Sequence, residues 1–269
     1  MPELPEVETT RRGVRCHLRG ALLERIRIRC DALRWPVPDS VGRIRRQHLV
    51  DVERRAKFLI LRLEHSPLVV HLGMSGSLRI CSPDDALRTH DHVCFDFGAR
   101  QLRLHDPRRF GCLLPLDHPR AQSLLGNSGP DALERGFSPD YLKSRLRGSA
   151  RPIKNALMDQ RLVAGIGNIY AAEALFLAGI RPSARSGSIS KARLGQLVKH
   201  CKAVLRRAIR RGGTTLRDFV NPDGSAGYFA QTLWVYGRMG EPCRVCRTPL
   251  KNAVLGSRQT VYCPSCQKR

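Results

Sequence analysis

Four cysteines, in CRVC (243–246) and CPSC (263–266), limit what the end of this 269-residue chain can fold into more sharply than anything else in it. Each Cys-x2-Cys knuckle offers two thiolates to one metal ion. Two knuckles separated by 16 residues close a tetrahedral site, and they meet only if the chain between them doubles back into a finger. With sulfur from Cys243, Cys246, Cys263 and Cys266 at every corner, no position remains for a water, so the expected cofactor is a single structural Zn2+. The stretch GSRQT between the knuckles places Arg258 and Thr260 at the expected hairpin tip. The other six cysteines (16, 30, 81, 94, 112 and 201) are scattered singly, which argues for reduced thiols inside a cell rather than a secreted disulfide scaffold.

Charge narrows the partner. Lys and Arg number 47 against 23 Asp and Glu, for a formal net charge of +24 spread along the chain. A polyanion is the natural partner, and nucleic acid leads a membrane surface because no lipidation site or amphipathic anchor is visible. A basic proteome rich in Arg is the competing source of the arginines, although it does not easily give a twofold excess over acids. No apolar run approaches the ~20 residues that a spanning helix needs. Charges recurring from Glu3 to Arg19 leave no room for a signal-peptide core, so a cytoplasmic location without a membrane partner is expected.

Periodicity divides the chain. Residues 3–19 predict a helix with Leu4, Val7, Val14 and Leu18 on one face. From about 22 to 116 the pattern is short and strand-like, with FLILRLE (58–64), LVVHLGM (68–74) and a hairpin of VCFDF (93–97) and LRLH (102–105) turning at Gly98. Such a series predicts a β-sandwich or barrel. The turn-forming segment 117–131 is the expected boundary of the first domain, placed at residues 1–130. Helices are then predicted over 155–163, over 168–178, and from Ser190 to Gly212-Gly213, within a second domain of residues 131–225. Residues 214–235 read as a loop running into a strand, and 226–269 as the finger region.

Two stretches invite a chemical reading. In MPELPE, loss of Met1 would leave Pro2 with a free secondary amine; model α-amino groups titrate near ~8, and the positive end of a helix lowers this further. Such an amine attacks electrophilic carbon, and Glu3 and Glu6 could move protons beside it. Proline at the first helical position and acids in the first turn are equally ordinary helix-start chemistry. In GIGN (165–168), two glycines before the helix of Asn168 suit a phosphate, or simply a turn.

Taken together, PELPEVE, RRAKF (54–58), HLGMSGSL (71–78), HDPRRFG (105–111), GIGNIYAAEALF, GGTT (212–215), GYFAQ (227–231), VYGR (235–238) and the four-cysteine finger resemble bacterial formamidopyrimidine-DNA glycosylase across essentially the whole chain. The resemblance implies an α+β multidomain protein: an N-terminal helix and antiparallel β-sandwich, then a helix–two-turn–helix domain with the zinc finger. It implies a monomer that acts on double-stranded DNA containing damaged purines such as 8-oxoguanine and formamidopyrimidines, associated with the nucleoid.

Residue by residue, the resemblance implies that Pro2 attacks C1′ and forms a Schiff base, Glu3 is the acid/base at the sugar, and Glu6 supports them. Lys57 would contact phosphate and donate a proton in β-elimination, and Arg258 would bind phosphate and assist δ-elimination. Asn168 would hold a phosphate. Met74, Arg108 and Phe110 would fill the void left by the everted nucleotide, although residue type alone makes Met74 and Phe110 core residues. His71, His90, Arg151 and Tyr236 would lie near the DNA backbone; His90 reads equally as a polar residue at a strand edge. Residues 217–226 would form a lid over the base. Leu4, where the related endonuclease VIII usually has Gly, points together with the Met74, Arg108 and Phe110 set to purine rather than pyrimidine lesions. The other competing reading, a non-enzymatic zinc-finger DNA binder, leaves PELPEVE and Lys57 without a purpose.

Overall fold

In the computed structural model, which describes residues 2–213 and 232–268, the first element starts where two glutamates cap each other. Glu3 is the N-cap of α1 (Leu4–Leu18): its side chain accepts from the Glu6 backbone, while the Glu6 carboxylate accepts the Glu3 N–H at 2.9 Å. The proline in the first turn is Pro5, so Pro2 lies one residue ahead of the cap rather than at the first helical position. Leu4, Val7, Val14 and Leu18 are all buried, as the spacing predicts.

Eight antiparallel strands follow: β1 (Leu22–Ile28), β2 (Arg45–Arg55), β3 (Phe58–Leu63), β4 (Leu68–His71), β5 (Ser77–Cys81), β6 (Asp91–Phe97), β7 (Arg100–His105) and β8 (Cys112–Pro115), with one helical turn, α2 (Asp39–Gly42), before β2. Their order is β5-β7-β6-β1-β2-β3-β4-β8. The long β2 pairs with β1 through Arg45–His48 and with β3 from Leu49 onward, with a register shift between Leu49 and Asp51. Side chains from both halves, among them Leu23, Val93 and Leu104 on one and Leu59, Val70 and Leu113 on the other, share one core with Val7 and Val14. Each such aliphatic side chain stabilises by roughly 1.5–3 kcal/mol relative to exposure. Gly98 takes φ +66 at the predicted hairpin turn, where a left-handed residue is needed. Within the turn-rich segment lies α3 (Pro119–Gly126), capped by the His118 ring nitrogen.

Among the described residues, 2–127 with 209–213 form one compact unit, and 128–208 with 232–268 form another. The second contains α4 (Pro139–Arg145), α5 (Ile153–Met158), α6 (Asn168–Leu177), most of α7 (Lys191–Arg210), and the finger strands β9 (Lys251–Leu255) and β10 (Arg258–Tyr262). Helix α5 is shorter than the predicted 155–163. Asp159 ends it by accepting the Arg161 N–H at 3.0 Å, an Asx turn that competes with the helical ladder. Ser190 accepts from the Arg193 N–H at the start of α7, and Gly212 and Gly213 follow its end with φ +72 and +80. Residues 232–235 form no strand, and the proposed lid (217–226) lies outside the described residues. No helix among the described residues is long and apolar enough to cross a membrane.

Candidate active site

Pro2, Glu3 and Glu6 are all buried, the two carboxylates to 2% and 0% relative exposure. Such burial of acids demands partners, which the reciprocal capping supplies. The backbone of Gly213 lies against Glu6: a Cβ there would sit 3.2 Å from Glu6 Oε1 in a left-handed backbone, so any side chain at this position is strained.

Lys57, also buried, is carried by the two-residue loop Ala56–Lys57 that joins β2 to β3. Its charge reaches His71. Burial, followed by the Lys57 and Arg34 charges, pushes the His71 imidazole down to about 4, so it is neutral at physiological pH. Its Nδ1 accepts the Gly73 N–H at 3.0 Å, and its ring lies against Phe58 at 4.9 Å.

Met74 and Phe110 sit on two interlocked loops. A Cβ on Gly73 would approach the Gly111 nitrogen to 2.5 Å, and one on Gly111 would approach the His71 oxygen to 2.6 Å. Glycine at both positions therefore lets the loops touch backbone to backbone. Asp106 Oδ2 accepts the Gly111 N–H at 2.7 Å and closes the second loop, in which Arg109 takes φ +53. Phe110 is 45% exposed, which overturns the core reading that its residue type suggests; the Arg108 guanidinium stacks on it at 5.0 Å. Leu33, Arg34, His71, Met74, Arg109 and Phe110 line one open cavity. His90 is partly exposed, its ring 5.9 Å from those of His92 and His105.

In the second unit, Asn168 opens α6, and the positive end of the helix dipole there favours an anion. Its Oδ1 accepts from Lys154, a lysine with 0% exposure whose ammonium also donates to Thr260 Oγ1 at 2.6 Å and to the Gln259 carbonyl at 3.2 Å. One buried cation thus joins α5, α6 and the finger hairpin. Thr260 is consequently inside β10 and buried, rather than at the tip; the turn is Gly256–Ser257, and Arg258 beside it is exposed. Arg151 is held by Asp159 at 3.0 Å on the surface, an ion pair of small energetic value.

The Tyr236 backbone is fixed by Glu173. This carboxylate, 1% exposed in the otherwise apolar α6, accepts N–H bonds from Trp234 at 2.7 Å and from Val235 and Tyr236 at 2.9 Å. Burial raises its pKa, and the three donors oppose that rise. Glu173→Ala is expected to cost on the order of 3 kcal/mol, because one buried and two part-buried donors lose their acceptor, at about 1–3 kcal/mol for each one left unsatisfied. Denaturant unfolding reads this directly, and an unchanged midpoint would refute it. The residues missed by sequence reasoning, Lys154 and Glu173, left a faint mark there: single charges within apolar helical segments.

The four cysteine sulfurs lie within 4.8 Å of one another, with Cys243–Cys266 at 3.9 Å and Cys246–Cys263 at 3.4 Å. Zn–S bonds of ~2.3 Å in a tetrahedron require sulfurs roughly 3.8 Å apart, so the donor set fits one zinc and leaves no open position. The finger packs on α6 through Phe176, Val235, Leu250 and Val261, with Phe176 and Trp234 stacked at 5.6 Å.

Comparison with known proteins agrees along the chain. Residues 1–113 match the formamidopyrimidine-DNA glycosylase N-terminal domain, 128–220 its H2TH domain, and 240–269 the zinc finger found in FPG and IleRS. The formamidopyrimidine-DNA glycosylases of Methylococcus capsulatus and Thioalkalivibrio sulfidiphilus are each 51% identical to this chain, with all of both chains covered. The crystal structure of the MutM (Fpg) protein from Thermus thermophilus superposes with a TM-score of 0.90 at 38% identity, covering 99% of this chain and 98% of that one. A Lactococcus lactis FPG mutant in complex with a Fapy-dG containing DNA superposes at 0.91, with 30% identity and all of both chains covered. The chain belongs to the formamidopyrimidine-DNA glycosylase family.

Proposed function

We propose that this protein excises oxidised purines from duplex DNA and then cuts the strand at the resulting abasic site. The observation that carries the reading is the start of α1, where Pro2 stands immediately ahead of two buried, mutually capped glutamates. The Pro2 nitrogen uses its lone pair to attack C1′, and the bond from C1′ to the base breaks. The departing base takes a proton from solvent. Glu3 takes the proton that the new Pro2 ammonium loses and delivers it to the sugar ring oxygen as the ring opens, leaving a C1′ iminium. Loss of a C2′ proton then expels the 3′ phosphate, and a second elimination expels the 5′ phosphate. Glu6 orients Glu3, Lys57 serves β-elimination, and Arg258 serves δ-elimination.

DNA is held by Asn168, by His71, His90 and Tyr236, and peripherally by Arg151; Met74, Arg108 and Phe110 occupy the vacated space. The exposure of Phe110 and the interlocked glycines beneath it support the last assignment. The zinc contributes folding rather than chemistry. The protein works as a monomer on chromosomal DNA in the cytoplasm.

Borohydride trapping on a duplex carrying 8-oxoguanine opposite cytosine tests this reading. A covalent adduct with excision well above that of thymine glycol is expected. Zinc-loaded protein that gives no adduct overturns the lyase mechanism, and preference for thymine glycol overturns the purine assignment.

A further inference from the structure

One carboxylate in α1 is bound to the loop that carries Lys57. Glu8, at 12% side-chain exposure, takes Arg11 Nε at 3.0 Å and Nη2 at 2.9 Å, Arg12 Nε at 2.8 Å and Arg54 Nε at 3.2 Å. Burial favours the neutral acid, but the Arg11 and Arg12 hydrogen bonds and the Arg11 and Arg54 charges outweigh it and hold the carboxyl at about 2. Glu8 is therefore an anion throughout the working pH range. Arg54, itself 11% exposed, uses its other arm to donate to the Ala56 carbonyl at 2.9 Å.

That carbonyl belongs to a strained residue. Ala56 has φ +56 in a two-residue hairpin loop, a conformation that usually falls to Gly, Asn or Asp, and it is buried at 1%. The surroundings must hold it there. We propose that Glu8 and Arg54 are positioning residues for strand scission: they lock the Ala56 turn to the helix that Pro2 precedes, and so fix the Lys57 ammonium relative to the Pro2 amine. The inference rests on the roles proposed above for Pro2 and Lys57. Neither Glu8 nor Arg54 needs to touch DNA. Because the planar guanidinium reaches a carboxylate with one arm and a carbonyl with another, lysine in place of Arg54 is a poor substitute.

The test uses the full-length, zinc-loaded protein on duplex DNA with a preformed abasic site, reading trapped adduct and strand scission separately. For Arg54→Met, the adduct is expected to form within about threefold of the unsubstituted rate, while scission from it slows by tenfold or more. In a double-mutant cycle, adding Arg54→Met to Lys57→Ala should cause almost no further loss, because an effect routed through Lys57 vanishes with it. Ala56→Gly, which adopts the turn without strain, should restore part of the scission lost in Arg54→Met. Equal slowing of adduct and scission, or losses that add in the cycle, overturns the proposal in favour of general structural support. If Arg54→Met does not fold, Glu8→Gln is read by the same ratio and cycle. Failure of the unsubstituted protein to form an adduct would instead strike the function reading, which keeps the two outcomes apart.

Discussion

A single residue added in front of Pro2 is expected to abolish both the borohydride adduct and strand scission, by on the order of 10^4-fold or more, the scale of loss when an enzyme's nucleophile is removed. The extension turns a secondary amine into an amide, whose lone pair is delocalised into the carbonyl and cannot attack C1′. The side chains proposed to hold DNA are untouched, so affinity for duplex should change by less than about tenfold. The small footprint is what makes the experiment decisive: Glu3 and Glu6 still cap each other, and α1 still starts at Leu4. An extended protein that still forms the adduct would place the nucleophile elsewhere. Intact mass measurement of the unmodified protein belongs with it, because retained Met1 would block the amine in the same way.

The second large effect is expected at the finger. Cys246→Ser should lose zinc and, with it, DNA binding. Structural zinc sites in finger peptides contribute roughly 10–16 kcal/mol at neutral pH, so losing one of four thiolates removes most of what folds the hairpin. The consequence reaches beyond Arg258. Thr260 Oγ1 and the Gln259 carbonyl, both on β10, hold the Lys154 ammonium that in turn holds Asn168. A melted finger leaves a buried lysine without those acceptors and frees the Asn168 side chain at the mouth of α6. Metal analysis together with a binding titration checks both halves. Unchanged zinc content would refute the ligand assignment, and full DNA affinity without zinc would refute the coupling.

The parts of the fold that could be read from the sequence are those whose causes lie within a few residues of one another. Leu4, Val7, Val14 and Leu18 define a helical face by spacing alone, Ser190 and Gly212 bracket α7, and Gly98 marks a hairpin by its backbone freedom. The four cysteines likewise announce a metal through spacing. The cases that misled were local signals overridden by a neighbour. The Asx turn of Asp159 stops α5 early, burial of Lys154 draws Thr260 into β10, and the Glu3–Glu6 pair starts the helix beyond Pro2. Residue type alone would bury Phe110, whereas loop geometry exposes it.

By itself, the sequence determined the order of elements, the zinc ligands, the basic character and the motifs that mark the family. Only the tertiary structure decided which partner each buried charge meets: Glu8 with Arg54 across 46 residues, Glu173 with the 234–236 backbone across 61 to 63, and Lys154 with Thr260 across 106. The reason is physical. Propensity, capping and ligand spacing act over one or two turns of chain, whereas a buried ion selects its partner by proximity and desolvation in three dimensions, and the sequence does not encode that proximity as any local pattern.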